Sequence, residues 1–590
     1  MLNNETRISI DKRGEKTTER TILIQINEKQ DDWLSHIEIR HNPRQDFSFE
    51  YARILDLQGN VLRKIKRRDL ITRSVSSYQA FYQDDLVSEF DLYWHQYPYR
   101  IEYSYTIEEE EFLYVSWWTP LLYSDVPTVR ATLEIETPDD YSINVSQSGN
   151  IIFSESVTED GKQYLWMASS AGEIDNEIYS PPIRELIPRV SVVPSGFKYG
   201  VEGSTESWSS FGSWLNNLNH GTDVLPQNEL RILERLLEDT QDKREIIQKL
   251  YYYLQDHTRY INVAIDVGGM KSYPASYVCK NKYGDCKALT TYMKAMLKSQ
   301  GISSYYTVIN AGKAEGGINE DFPSQQFNHV VLAVPLENDT IWLENTSNSL
   351  PFDYLGTFTQ DRYALLVNEG NSRLVKTPKL LPSDVLVQRD YQFNVDQENL
   401  LGSDITLELR GAAFEVFRHL LTDQDQEKIK ARVNSNIGID GFNIISWNSV
   451  GFNRDSSNVK IHVLGNISGF IREIGDWKVI NPLNIVVPEF ELPERRDLEL
   501  RINYPIHKSD RAVFNFKSLQ DREVQIPEGI FIENDYGRYQ TSFTKEGNSI
   551  VASETFLLLG NKIPLTEYPK FYSFIQTILD HKKKSSILIK

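Results

Sequence analysis

Cysteine is nearly absent from this chain. The 590 residues include only Cys279 and Cys286, so neither a disulfide framework nor a four-cysteine metal site can be built. A cysteine that matters here matters as a thiol. Long apolar runs are missing too: no stretch approaches the roughly 18 consecutive apolar residues of a membrane helix. The start, Met1-Leu-Asn-Asn-Glu-Thr, carries no apolar signal region. Positive charge is also in deficit, with 63 Lys+Arg against 83 Asp+Glu and a net charge of −20. Such a balance repels nucleic acid and anionic membrane surfaces unless basic residues are locally concentrated. The basic clusters Arg63-Lys-Ile-Lys-Arg-Arg and His581-Lys-Lys-Lys are short and read as solvated faces. His-Glu-x-x-His, Cys-x-x-Cys and Gly-x-Gly-x-x-Gly patterns are absent, and Asp423-Gln-Asp-Gln-Glu lacks the glycine of a calcium loop, reading instead as a solvated helix start. No repeat of 20 to 50 residues is evident, which argues against a solenoid or propeller.

What is present is an ordinary globular composition, 40% hydrophobic and 25% charged, over a length that predicts about four domains. From Thr6 to about Val157, period-two runs such as Arg100-Ile-Glu-Tyr-Ser-Tyr-Thr-Ile and Thr128-Val-Arg-Ala-Thr-Leu-Glu-Ile predict strands, and Leu57-Gln-Gly-Asn-Val predicts a hairpin turn. This is the pattern of a β-sandwich, closed by Pro181-Pro182 and Pro188. The period then lengthens. Trp208, Phe211, Trp214 and Leu218, then Leu230, Leu233 and Leu237, then Ile247, Leu250, Tyr251 and Leu254 behind a Thr240 cap, mark amphipathic helices. A fourth runs from Cys286 to Gln300 and stops at Gly301, with strands expected at 304–310, 328–334 and 340–344. Helices followed by strands indicate an α+β core. Thr377-Pro-Lys-Leu-Leu-Pro-Ser-Asp reads as a linker, and the rest returns to strand alternation around one helix near 412–437. The expected regions are thus a β-sandwich over 1–188, an α+β core over 189–376 and a mainly β region over 377–590, which two subdomains could share.

One constellation in the core can carry chemistry. In Lys282-Tyr-Gly-Asp-Cys-Lys, Asp285 is placed to cap a helix whose first residue is Cys286. The positive end of the helix dipole and its unsatisfied N–H groups favour a thiolate there and can also hold an oxyanion. Many cysteines are simply small buried hydrophobes, so the segment alone leaves both readings open. Downstream, Phe327-Asn-His-Val-Val-Leu-Ala-Val and Thr340-Ile-Trp-Leu-Glu should fold as a hairpin centred near residue 337. Partners then sum to about 674, and His329 with Glu344 sums to 673, which sets a carboxylate within reach of an imidazole. Cys279 falls in what reads as a loop, as an incidental thiol or a redox partner. Trp117-Trp118, beside Glu108 to Glu111, reads as sheet core, as a sugar-stacking platform or as a partner-binding edge.

Tyr283-Gly-Asp-Cys-Lys, Gln326-Phe-Asn-His, Trp342-Leu-Glu-Asn-Thr-Ser and Pro351-Phe-Asp-Tyr-Leu-Gly, with Thr258-Arg-Tyr-Ile and Ser272-Tyr-Pro-Ala upstream, closely resemble the bacterial transglutaminase-like superfamily. They are similar to its exported subgroup, in which a β-rich domain of unknown function precedes the core and another β domain follows. The resemblance implies a papain-like reaction on glutamine or peptide amide carbonyls through a thioester, ending in crosslinking or hydrolysis. It implies Cys286 as nucleophile, His329 as general base and Glu344 as third member, where many relatives carry Asp; Tyr260 is a candidate oxyanion donor. No metal or cofactor is implied. The partners implied are a protein or peptide substrate and a glycan, with no nucleic acid and no membrane span. The location implied is periplasmic or cell-surface, with a leader removed or truncated. The competing reading is a non-catalytic envelope protein that binds protein or glycan through its β domains while the core serves as a scaffold.

Overall fold

The computed structural model describes all residues except 75–79, 84, 176, 265–268, 313–315, 396–400 and 424. They form two compact units. One comprises Met1–Asp175, Pro182–Asn348 and Tyr363–Lys376; the other comprises Asn176–Pro181, Ser349–Arg362 and Thr377–Lys590.

The first unit begins as a sandwich whose large layer is an eight-stranded sheet with Asn3–Ile10, Lys16–Ile26 and Tyr99–Glu109 near its middle. Asn3–Ile10 pairs in parallel with Thr128–Thr137, and antiparallel with Lys16–Ile26. Alternation sends Ile22, Ile24 and Ile26 to one face, and register sets Ile24 against Ile101. Each such fully buried side chain is worth about 1.5–3 kcal/mol. Two small sheets complete the sandwich. His36–His41, Leu86–Asp91 and Ile71–Ser74 form one, whose Ile37, Ile39 and Phe90 pack with Ile22, Ile24 and Ile101. Ser116–Trp118, Arg189–Pro194 and Ile143–Ser148 form the other, whose Val190 and Val192 pack with Ile8, Leu133 and Trp166. The strand that follows Pro188 therefore pairs with strands far upstream. The expected turn is present, with Asp56 Oδ1 accepting from the backbone N–H of Gln58 and Asn60 around Gly59 at φ +90°.

The same unit continues into the α+β core. Helices Trp208–Leu218, Gln227–Leu236 and Lys243–His257 lie where the periodicity placed them. The cap of the third is Asp242, accepting from Glu245 N at 2.9 Å, rather than Thr240, whose hydroxyl accepts from the Lys249 ammonium. Helix Cys286–Ser299 buries Ala288, Leu289, Thr290, Tyr292, Met293 and Met296, so it is apolar around most of its circumference and runs inside the core. The sheet beside it has the order Thr340–Leu343, His329–Pro335, Tyr305–Ile309, Tyr363–Val367, Arg373–Lys376. Its last two strands escaped the sequence reading because a buried strand such as Tyr-Ala-Leu-Leu-Val does not alternate.

In the second unit an eight-stranded sheet carries the parallel pair Leu386–Val395 and Ile506–Phe516 at its centre. The single helix expected near 412–437 is two, Gly411–Asp423 and Gln426–Ile437, because Asp425 caps a new start through Lys428 N. A helix not expected at all, Tyr568–Lys584, enters through Pro569 and buries Tyr568, Phe571, Phe574, Ile575 and Ile578. The basic cluster at its end is not merely solvated, since Lys582 pairs with the buried Glu554. Arg389 and Asp510 form a buried bidentate pair, both bonds at 2.7 Å. Among the described residues no helix is long and apolar enough to cross a membrane.

Removing one member of a buried pair strands the other charge. Asp510→Ala should therefore lower the stability of the second unit by about 3–5 kcal/mol in denaturant melts. The exposed pair of Arg13 with Asp11 and Glu15 is screened by solvent, and Arg13→Ala should leave the melt of the first unit nearly unchanged.

Candidate active site

Cys286 is the first residue of its helix, and the geometry of its neighbours is set by close packing. Asp285 caps the helix, its Oδ1 accepting from Ala288 N at 2.9 Å, while Oδ2 lies 2.5 Å from the Lys287 ammonium. The residues on either side of the cysteine are thereby tied to each other. Gly284 is needed for a steric reason: a Cβ there would stand 2.8 Å from the Ala288 Cβ. It forms, with Tyr283, a short parallel pairing with Arg259–Tyr260, which brings Tyr260 beside the helix start.

His329 opens the strand His329–Pro335, paired with Ile309 on one side. On the other side the hairpin register is Leu332 with Leu343 and Ala333 with Trp342. These partners sum to 675 rather than the expected 674, so Glu344 is not directly across from His329 but diagonal to it on the same face. The longer glutamate side chain spans that diagonal, and Glu344 Oε2 lies 2.8 Å from His329 Nε2. The second carboxylate oxygen, Oε1, accepts from the backbone N–H of Thr346 at 3.0 Å and from its hydroxyl. Tyr251 OH donates to the Glu344 carbonyl at 2.9 Å, fixing the end of the strand to helix Lys243–His257. The His329 imidazole also hydrogen-bonds Cys286. Sulfur, imidazole and carboxylate are thus brought together, with His329 in the middle.

Burial disfavours the charged imidazole, yet Glu344 and Cys286 outweigh it and push His329 up to about 10. Burial works the other way on Glu344, but His329 and Thr346 hold it below its ordinary value of 4.5. Tyr260, 44% exposed, is raised by desolvation first and then by Cys286, Asp285 and Glu344, so its hydroxyl stays protonated across the working range of pH. Cys279 is not in a loop. It is buried in helix Ala275–Asn281, away from the hydrogen bonds of the site, and burial pushes its thiol up to about 11.

Sequence reasoning missed the supports of the chain leading into His329. Tyr114 OH donates to the Gln325 carbonyl at 2.6 Å, Asn319 Nδ2 donates to Ser146 Oγ at 2.9 Å, and Glu185 Oε1 accepts from Gly317 N at 2.7 Å. These residues are more than 130 positions apart in sequence, so no local signal announces them. Thr346 had a signal, since a hairpin of sum 675 carried three pairs beyond Leu332 and Leu343 sets it opposite His329.

A model of the transglutaminase-like superfamily matches residues 231–344. Two domains of unknown function with solved structures flank it, DUF3857 over 11–172 and DUF3858 over 479–589. A transglutaminase-like core is thus matched between those two domains, in that order. No curated protein matches it. Among solved structures it is similar to a protein from Parabacteroides distasonis ATCC 8503 described as a "putative protease", with a TM-score of 0.65 and 12% identity over 100% of this chain and 99% of that one. At that identity the likeness concerns the fold, which is cysteine-protease-like in its core.

The ion pair has a defined pH window. The raised value of His329 means its contribution is complete below 6.5 and is lost as pH rises through about 10. The lowered value of Glu344 means its contribution is present above 4.5 and is lost in acid. Selective 13C labelling of histidine should show the His329 ring charged at pH 8 and titrating near 10, and Glu344→Gln should return the midpoint towards 6.5. A ring neutral at pH 8 in the native protein would contradict the assignment.

Proposed function

We propose that the protein is a thiol acyl-transfer enzyme acting on glutamine side-chain or peptide amide carbonyls through a thioester. The observation that carries this reading is the buried His329 held between Cys286 and Glu344. The match of residues 231–344 to the transglutaminase-like superfamily supports it at the level of class.

In this reading Cys286 Sγ attacks the carbonyl carbon and the C=O π pair moves onto oxygen. The N–H groups at the start of helix Cys286–Ser299 and the Tyr260 hydroxyl donate to that oxyanion. His329, charged in the resting pair, gives its proton to the leaving nitrogen as the C–N bond breaks, releasing ammonia or an amine and leaving the thioester. The neutral imidazole then takes a proton from an incoming lysine amine or water, which attacks the thioester carbon and expels Sγ. Glu344 stays ionised throughout and holds the ring in place. Every proton moved in this scheme is carried by a side chain of this chain. Access of the acceptor to the thioester decides between crosslinking and hydrolysis.

Incubation with glutamine-bearing peptides and a primary amine, read by mass spectrometry, tests the reading. Cys286→Ala should abolish both products, and Glu344→Gln should slow turnover by about 10²–10⁴-fold. Glu344→Asp should not rescue the loss, because a side chain one methylene shorter does not span the diagonal. Turnover that survives Cys286→Ala would sink the proposal.

A further inference from the structure

One face of the large N-terminal sheet changes character along its own strands. In Lys16–Ile26 the positions Ile22, Ile24 and Ile26 are core, while Lys16, Thr18 and Arg20 continue the same face as polar residues. Register sets Arg20 against Tyr105 and Thr6, and Lys16 against Glu109. Over this stretch the sheet borders a cavity of about 340 Å³, and the segment from Tyr114 to Leu122 supplies the opposite wall. Cavities that hold small ligands run from about 300 to 1,000 Å³.

The groups inside are not those of a filled core. Lys16, 6% exposed, is satisfied: it pairs with Glu109 at 2.5 Å, donates to the Tyr114 carbonyl at 2.9 Å and stands over the Phe112 ring. Arg20 is different. Its hydrogen bonds go to the neutral groups Asn4 and Tyr105, and its Nε meets no acceptor among the described residues. Two buried residues of the same lining, Thr6 and Trp118, also have polar side-chain atoms without partners there. Trp117, adjacent on its strand, points the other way by alternation and is 43% exposed. Tyr114 meets its ring edge-on, and Arg184 and Arg189 stand within 5.9 Å of it. The cleft next door is lined by Asp11, Glu15 and Asp46, which repel an anion and leave the Arg20 end for one.

We propose that this cavity binds an acidic saccharide, with the carboxylate taken by Arg20 and the sugar ring laid against Tyr105 and Tyr114. A guanidinium accepts a carboxylate through parallel N–H bonds, and the C–H face of a pyranose suits an aromatic wall. Thr6, Thr18 and Gln45 offer hydroxyls and an amide to a ligand dense in hydroxyl groups. Peptides are commonly taken by adding a strand to a free edge. That mode is closed here, because Asn3–Ile10, Lys16–Ile26 and Tyr99–Glu109 each have a strand paired on both sides. The site is separate from Cys286 and does not rest on the acyl-transfer reading.

Calorimetry on the full chain with trigalacturonate, neutral galactotriose and an acidic tripeptide as probes tests it. Trigalacturonate should bind, with galactotriose at least about tenfold weaker. Arg20→Gln should weaken the acidic sugar about tenfold and leave the neutral one unchanged, and Cys286→Ala should bind like the native chain. Tyr105→Ala, at a half-buried position, should weaken both sugars and decides the matter if Arg20→Gln does not fold. The proposal is overturned by absence of trigalacturonate binding, by binding indifferent to both variants, or by an Arg20-dependent site that takes the tripeptide and not the sugar.

Discussion

The site depends on the contact between His329 and Glu344 more than on any other single interaction. Both side chains are buried, so each charge alone would be costly, and together they are tolerated only because the geometry is tight and the remaining lone pairs are used. Thr346 uses two of those lone pairs and the imidazole another. Removing any of these would leave a carboxylate buried without its partners, which is why the turn after Leu343 is as much a part of the site as the histidine is.

The second constraint is the start of the helix that carries Cys286. Asp285 uses one oxygen to cap the helix and the other to hold Lys287, and Gly284 lets the preceding chain approach Ala288. The sulfur is therefore presented by a segment with little freedom, at the point where free N–H groups converge. The chain into His329 is held from outside the core by Tyr114, Ser146 and Glu185. The β-rich region ahead of the core thus has a positional link to the site in addition to whatever it binds itself.

Much of this was legible from residue order because it is local. The cap of Asp285 and the approach of His329 to Glu344 follow from capping chemistry and the arithmetic of a short hairpin. The arithmetic erred by one in the sum of partners, and a side chain long enough to reach a diagonal absorbed the error. Helix Tyr568–Lys584 was not legible, because Phe571, Phe574, Ile575 and Ile578 follow a region of strand alternation and Pro569 masks the start. Cys279 was misplaced for a similar reason: Ala275–Asn281 is a helix of two turns, closed by Lys282 at φ 60°, too short to display a period. The polar stretch Lys16-Thr-Thr-Glu-Arg carries no local sign of burial, and the register against Tyr105 and Glu109 is what sets Lys16 and Arg20 on the inner face.

Whether Cys286 and His329 act as one unit is read by the rate of iodoacetamide alkylation of Cys286 against pH, resolved by residue. Cys286 should be labelled faster than the buried Cys279 from pH 6 to pH 8, and His329→Ala should slow the labelling of Cys286 more at pH 6 than at pH 8. Labelling of Cys286 with the same pH dependence in the native protein and in His329→Ala would contradict it.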